Sequence, residues 1–572
     1  MRTKIFTLIL IFFTAVLLTA LAYVQVVRYE KYSTMSEENR LKIIPLMAPR
    51  GSIFDRAGNP LVKDTLCFNV SVIYSRVKDA EALEKALSSM LSIPQETIAA
   101  GIRNSRGQSY LPVCIADDIG MENAVRVEEA ALDYPGLLLE VSAKREYMHE
   151  KTASNLLGYL GFINRPEFER LRHYGYKIND LVGRDGIEKQ YDKYLRGIHG
   201  GKQIEVDYRG REKTVLGLKE PVPGRNIYLT IDLELQKFCE SLLSDKRGAI
   251  LALDPQSGAV LAMASAPSYD PSIFVTKSRR KEAALLLKDR MYPLLNRAIA
   301  GVYPPGSTFK VVIAAAALEN GVISQESSFD CEGSLSLGKA VFRCWKKTGH
   351  GQQILVNAIK NSCNVYFFKT GLLLGAEKIA AFAEKYGFGK RTGVDLPGER
   401  AGTLPTPGWK KKRFNEAWYK GDTINYSIGQ GYMLCSPLQV ARMMCVYANR
   451  GYLIRPYLVS RVGDVPVGSR DKVFLYISPK SMEAIREGMR KVVNDPRGTG
   501  QKAKQDIVTI AGKTGTAQVS RGGNHGWFAG FAPFEDAKLV VVVFDEHGGK
   551  GGYYAASTAG SVFKKARELE II

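Results

Sequence analysis

No His-Glu-x-x-His pair and no Gly-x-Ser-x-Gly turn occur in the 572 residues, which excludes a zinc hydrolase or a nucleophile-elbow hydrolase of those signatures. Gly512-Lys513-Thr514 is not a phosphate-binding loop, because the required glycine five positions before Gly512 is replaced by Ile507. Acidic residues are in deficit, 58 against 79 Lys and Arg, for a formal charge of +21. Yet the basic residues are dispersed, four in succession occurring only at Lys410 to Arg413, and no nucleic-acid-binding motif accompanies them. The charge suits a surface that faces anionic headgroups and polymers, and the run itself is expected in a solvated loop. After residue 27 no apolar stretch is long enough to cross a bilayer.

Before residue 27 there is one. Ile5 to Val27 is almost uninterrupted apolar sequence preceded by Arg2 and Lys4. A cleaved signal peptide is the rival, since Ala20-Leu21-Ala22 would suit a small-residue cleavage site. The run is longer than the ~7–15 residues of a signal peptide and continues past Ala22, so an uncleaved single-pass anchor is expected. Arg28, Lys31, Arg40 and Lys42 follow it and leave orientation open by charge alone. The length allows three or four domains, and 45% hydrophobic with 24% charged residues is ordinary for a globular chain.

The chemistry concentrates around Ser307-Thr308-Phe309-Lys310. Tyr303-Pro304-Pro305-Gly306 ends one segment, and Val311 to Leu318 continues as an apolar, Ala-rich helix. Ser307 therefore falls at a helix N-terminus, where unpaired N–H groups and the dipole favour a developing oxyanion. Lys310 lies one turn on, and a desolvated amine there can serve as the base for the hydroxyl. The string alone says little: Ser-x-x-Lys also begins at Ser75, Ser278, Ser336, Ser469 and Ser561. Two further elements single out Ser307. Ser362-Cys363-Asn364 opens a second helical stretch and can turn a hydroxyl and an amide into one cleft. Lys513-Thr514-Gly515-Thr516 follows a β-branched run from Ile507 and is expected on a strand, where Gly515 would admit a substrate backbone. Lys-Thr-Gly recurs at Lys347 and Lys369, but only Lys513 is far downstream on a strand.

Ser-x-x-Lys, Ser-x-Asn and Lys-Thr-Gly in this order are the set of penicillin-binding proteins and serine β-lactamases. The chain resembles the class B penicillin-binding proteins over nearly its whole length. Arg50-Gly51-Ser52-Ile53-Phe54-Asp55-Arg56, Gly183-Arg184-Asp185-Gly186-Ile187-Glu188, Leu229-Thr230-Ile231-Asp232 and Asn296-Arg297-Ala298 carry the likeness, as do Ser427-Ile428-Gly429-Gln430-Gly431 and Ser436-Pro437-Leu438-Gln439. Cys344-Trp345, Gly349-His350-Gly351 and Ser362-Cys363-Asn364 resemble the elongation branch, penicillin-binding protein 2, rather than the division branch. One departure is Met148, where the family usually has proline after the tyrosine.

The resemblance implies an α+β chain with a cytoplasmic N-terminus at 1–4, an anchor at 5–27, a non-catalytic pedestal at 28–225 and a transpeptidase domain at 226–572 on the extracytoplasmic side. Pro221-Val222-Pro223-Gly224 makes a plausible boundary. Within 28–225, Glu81 to Leu91 is expected as an amphipathic helix and Ser154 to Leu160 as the start of another. Strand signals at Ala249 to Leu253, Ala259 to Ala264, Ile507 to Thr516 and Leu539 to Phe544 enclose a helical middle, which suits one antiparallel sheet flanked by helices. The last of these reads as a buried central strand. The implied roles are Ser307 as nucleophile, Lys310 as its base, Ser362 as proton relay and Asn364 as donor-amide holder. Lys513, Thr514 and Thr516 would bind the donor carboxylate, and backbone N–H groups of Ser307 and Thr516 would form the oxyanion hole. Peptidoglycan stem peptides would be the substrates, β-lactams the inhibitors, and a multi-span rod-shape glycan polymerase of the cell-elongation complex the partner. Catalysis would need no cofactor. A membrane-anchored β-lactamase-like hydrolase and a non-catalytic sensor or scaffold are the alternatives; the anchor with its long pedestal speaks against the first and the intact motifs against the second.

Eight cysteines remain, at 67, 114, 239, 331, 344, 363, 435 and 445. Cys331, Cys344, His350 and Cys363 could supply three thiolates and an imidazole to a structural zinc ion behind the Ser362 helix. A Cys331–Cys344 disulfide is the other reading, favoured by an oxidising compartment. The remaining cysteines are expected as buried thiols.

Overall fold

In the computed structural model the described residues are 2–105, 112–176, 180–206, 212–276, 279–468, 471–519 and 522–572. The chain forms two compact units. The first comprises Met1–Gly51, Asp64–Lys144 and Arg196–Gly224, and the second Ser52–Lys63, Arg145–Leu195 and Arg225–Ile572.

The first unit starts with an apolar helix, Arg2–Ala22, extended by a π-helical turn at Tyr23–Val27. Thr3–Val27 is long and apolar enough to cross a membrane, and none of it is buried against the rest of the chain. Helix Tyr29–Arg40 leads into strand Leu41–Leu46, which pairs with Gly200–Val206 and through it with Glu212–Lys219. A small core gathers Val70, Val72, Leu83, Leu87, Leu91, Ile98, Ile102, Val127 and Leu137. The expected helix at Glu81 to Leu91 is present as Ala80–Leu91: the Asp79 carboxylate accepts the Ala82 N–H to cap it, and Leu83, Leu87 and Leu91 form the inward stripe.

The second unit is built on a five-stranded antiparallel sheet: β1 (Gly248–Leu253), β2 (Val260–Ala266), β3 (Ala511–Ala517), β4 (His525–Ala532) and β5 (Leu539–Asp545), in spatial order β2-β1-β5-β4-β3. β5 is thus the middle strand, as its unbroken apolar run predicts, and β3 is an edge. Successive residues of a strand face opposite sides, yet every residue of β1, β2, β4 and β5 is buried, so both faces are covered. The covering helices include α1 (Leu233–Ser241), α2 (Lys310–Glu319), α3 (Asn364–Leu374), α4 (Pro437–Ala448), α5 (Pro479–Asn494) and α6 (Tyr554–Glu568). The helix α2 is apolar all round and buried from Lys310 to Ala317, and it packs against α3 and α5. Helix α4 is started by a capping box in which Ser436 and Gln439 exchange hydrogen bonds, and the Gln439 amide goes on to the carbonyls of Lys390 and Ala401.

Three expectations change. The strand expected from Ile507 starts only at Ala511, because the partner strand β4 ends at Ala532 and Pro533 has no N–H to extend the ladder. The Ile510 carbonyl is taken instead by the Asn494 side chain at 2.8 Å. The helix expected at Ser154 to Leu160 stops at Leu157, where Gly158 turns to φ +78°. Lys410 to Arg413 is not a loop but part of helix Pro407–Phe414, and Lys410 is buried against Asp422 at 2.8 Å. All eight cysteines are free thiols, with Cys67, Cys239, Cys435 and Cys445 buried and Cys114 half-buried.

The ion pair of Arg297 fastens the entry to the Ser307 segment. Its guanidinium, fully buried, meets Glu546 at 2.7 Å and the carbonyls of Met291 and Tyr292, while Arg247 bonds the other Glu546 oxygen at 2.9 Å. Removing one partner of a buried pair strands the other charge and costs about 3–5 kcal/mol. Arg297→Ala is expected to lower the urea midpoint of the catalytic unit accordingly, whereas Arg247→Ala, more exposed, lowers it far less; equal midpoints would contradict this account.

Candidate active site

Ser307 lies in a 3-10 turn, Gly306–Phe309, that runs directly into α2, with the Lys310 N–H donating to the Ser307 carbonyl. The turn is pressed against β3. Gly306 sits at φ +55°, and a Cβ there would lie 2.9 Å from the Thr516 carbonyl oxygen. A Cβ at Gly515 would lie 3.0 Å from the Pro305 oxygen, Thr308 Cγ2 and Trp527 Cβ alike. The close approach that Gly515 permits is therefore to this turn of its own chain. Trp527 Nε1 donates to the Pro304 carbonyl at 3.1 Å and holds the turn on β4 as well.

The three motifs converge. Lys310, fully buried, donates to the Ser362 carbonyl at 2.8 Å, Asn364 Oδ1 at 2.7 Å and Ser362 Oγ at 3.3 Å. Lys513, also fully buried, reaches the same Ser362 Oγ at 2.9 Å and the Thr514 carbonyl at 2.9 Å. Ser362 takes φ +50°, an uncommon conformation for a residue with a Cβ, immediately before α3 begins at Asn364. Asn364 Nδ2 donates to the Arg343 carbonyl at 3.2 Å, so both ends of its amide are engaged. Burial lowers the Lys310 pKa to about 8. Burial, and then the neighbouring Lys310 charge, lowers that of Lys513 as well.

Strand alternation puts Thr514 and Thr516 on one side of β3 and Lys513 and Gly515 on the other. Thr514 Oγ1 bonds Thr499 Oγ1 at 3.0 Å, and Thr516 Oγ1 accepts the Gly551 N–H at 3.3 Å. Two contributors were not marked by the sequence reading. Thr499, whose hydroxyl also donates to the Lys360 carbonyl at 3.2 Å, carries no distinguishing signal. Gln430, whose amide reaches the Thr516 carbonyl at 3.4 Å, lies in Ser427-Ile428-Gly429-Gln430-Gly431, and that family likeness is the signal that points to it. The competing Lys-Thr-Gly strings lie elsewhere: Lys347 is in an exposed turn, and Lys369 is inside α3, bonded to the Asp330 carbonyl. Of the other Ser-x-x-Lys starts, Ser278 and Ser469 lie outside the described residues.

Behind Ser362 the four proposed ligands do meet. One donor atom from each of Cys331, Cys344, His350 and Cys363 lies within 4.8 Å of the others. His350 Nδ1 is 3.6 Å from both the Cys331 and Cys344 sulfurs, which fits the ~3.5 Å expected between N and S in a tetrahedral zinc site. The other ring nitrogen, Nε2, is buried without a hydrogen-bond partner among the described residues. Hydrogen bonds from Cys363, His350 and the Asn364 N–H hold the Cys344 thiol toward the thiolate. That Asn364 N–H, 3.3 Å from Cys344 Sγ, ties the cluster to the amide of the active site.

Comparison with known proteins agrees with this geometry. The model of the penicillin-binding protein transpeptidase domain matches residues 248–568, and that of the penicillin-binding protein dimerisation domain matches 45–229. The peptidoglycan D,D-transpeptidase MrdA of Haemophilus influenzae is 34% identical over 98% of this chain and 90% of its own. Among solved structures, penicillin-binding protein 2 of Helicobacter pylori, in complex with MreC, superposes with a TM-score of 0.82 at 31% identity, covering 93% of this chain and 99% of the other. A chain of a peptidoglycan synthase complex that coordinates polymerization and crosslinking does so with a TM-score of 0.77 at 32% identity, over 98% and 97%. Matched along almost its entire length, with a catalytic-domain model covering more than half of it, the chain belongs to the penicillin-binding protein transpeptidase family.

Proposed function

We propose that this protein is a peptidoglycan D,D-transpeptidase that cross-links stem peptides during cell elongation. The observation that carries the reading is the meeting of two buried amines, Lys310 and Lys513, on the single hydroxyl of Ser362, with Lys310 itself held one turn on from Ser307 where the 3-10 turn runs into α2. Such a pocket is built to move a proton between groups held together by burial and hydrogen bonds.

Ser307 Oγ attacks the carbonyl carbon between the two terminal D-alanines of a donor peptide while neutral Lys310 accepts the hydroxyl proton. The N–H groups of Ser307 and Thr516 hold the oxyanion of the tetrahedral intermediate. Ser362, between the two amines, delivers a proton to the leaving nitrogen, and the C–N bond breaks to release D-alanine. An amine of a neighbouring stem peptide then attacks the ester, gives up its proton along the same path, and frees Ser307. Asn364 holds the donor amide, while Lys513, Thr514, Gly515 and Thr516 form the wall that binds its carboxylate. A β-lactam is opened by Ser307 and stays, because its acyl group blocks the approach of the acceptor.

The relatives' associations with MreC and with a synthase that both polymerizes and crosslinks support a multi-span glycan polymerase as partner. The anchor at Thr3–Val27 would hold both units on the outer side of the cytoplasmic membrane. The pedestal role expected of 28–225 falls on the first unit, while 52–63 and 145–195 pack as part of the catalytic one. The cluster of Cys331, Cys344, His350 and Cys363 would take a structural zinc ion that braces the loop before α3.

Fluorescent penicillin should give a stable adduct on the full-length protein in detergent, and Ser307→Ala should reduce labelling by at least about 10³-fold with its fold intact. Rapid loss of label from the wild type would instead indicate a hydrolase. Because the reactive form of Lys310 is the neutral amine, acylation should rise roughly tenfold per pH unit up to about 8 and level off above it; a profile flat from pH 6 to 9 would remove Lys310 as the base. Elemental analysis should find one zinc per chain, lost in Cys363→Ser together with several degrees of thermal midpoint. A metal-free protein with a Cys331–Cys344 disulfide would settle the alternative reading.

A further inference from the structure

Helix Pro407–Phe414 and the segment after it form a ridge that the catalytic steps leave unused. Three rings cluster on it: Trp409 lies 5.6 Å from Phe414 and 5.5 Å from Tyr432, and Phe414 lies 5.3 Å from Tyr432. The outer ring, Phe414, is 47% exposed. Beneath them the Lys410 ammonium is buried, bonded to Asp422 at 2.8 Å and set 4.8 Å from the Tyr419 ring and 5.6 Å from that of Tyr432, which fixes the helix in place. Lys411, Lys412 and Arg413 follow, all exposed, and none has an ion-pair partner among the described residues. Cations in the last turn complement the helix dipole, but that does not account for rings left at the surface beside them.

Two connections join the ridge to the catalytic groups. Tyr432 is two residues from Gln430, whose amide bonds the Thr516 carbonyl. On the other side a Cβ at Gly421 would touch the Phe342 ring at 3.3 Å, and the neighbouring Arg343 carbonyl holds the Asn364 amide. The ridge is thereby linked on one side to the Thr516 carbonyl of β3 and on the other to the segment that holds the Asn364 amide.

We propose that Trp409, Phe414 and Tyr432, with Lys411, Lys412 and Arg413, form a docking subsite for the anionic, peptide-bearing glycan strand whose stem peptide enters the cleft. The inference rests on the transpeptidase reading above and names how that site meets its polymer. Aromatic faces stack on the apolar faces of sugar rings, and three exposed cations attract the free carboxylates of stem peptides. On this reading a short peptide or a β-lactam would reach Ser307 without the ridge.

The test uses the full-length protein in detergent micelles and two probes, uncross-linked peptidoglycan strands and the same strands stripped of their peptides. The triple variant Lys411→Ala, Lys412→Ala, Arg413→Ala should bind intact strands at least tenfold more weakly, with a smaller salt dependence, while its rate of penicillin acylation stays within twofold of wild type. Phe414→Ala should weaken both intact and stripped strands. Wild-type affinity in both variants, with normal acylation, overturns the ridge alone; wild-type protein that takes no penicillin overturns the transpeptidase reading beneath it. Lys412→Glu, a single change at an exposed position, repeats the measurement if the triple variant loses acylation, and unaltered strand binding in it overturns the proposal equally.

Discussion

Two buried lysine amines share one oxygen atom, and much of the second unit exists to keep them there. Both reach Ser362 Oγ, so they stand no more than about 6 Å apart. With both protonated, their repulsion at an effective dielectric near 20 is about 3 kcal/mol, before any cost of burial. The pocket therefore resists carrying two charges, and the form with one proton fewer is the form that can act on a serine. Perturbed titration is here a direct result of packing: burial is the largest cause for each amine.

That packing is assembled from segments far apart in the chain. Lys310 is set by a helix buried on all sides, Ser362 by a left-handed turn before α3, and Lys513 by an edge strand. Gly306 and Gly515 let the nucleophile turn and the edge strand touch at backbone distance. The cysteine cluster supports the remaining side, since the N–H of Asn364 ends on the Cys344 sulfur. Each wall is rigid for a different reason: dispersion in α2, the hydrogen-bonded ladder in β3, sulfur and imidazole behind Ser362.

What could be read in advance follows the range of the interactions. The Ala-rich apolar run after Ser307 and the all-apolar strand at Leu539 to Phe544 declare themselves locally, and the three motifs could be chosen from their repeats by order and setting alone. The four cysteine-cluster residues were legible because few residue types hold a metal. The start of β3 was not, since it is fixed by Pro533 on the partner strand rather than by the β-branched run at Ile507. Lys410 looked like one of four solvated cations; its burial depends on Asp422, twelve residues away, and on rings brought up by Tyr419 and Tyr432. Thr499 is an ordinary threonine until the fold lays it against Thr514.

The burial of α2 also bears on how such an enzyme can evolve under antibiotics. From Val311 to Ala317 no side chain has any exposed surface, and the neighbours are already at contact. An added methylene there forces strain of about 1–3 kcal/mol into the helix that carries Lys310 and follows directly on the Ser307 turn. Changes of that kind damage the natural reaction together with the response to the drug. Selection for resistance is therefore steered away from the core and toward exposed positions such as Trp345, where a side chain can change shape without moving Ser307.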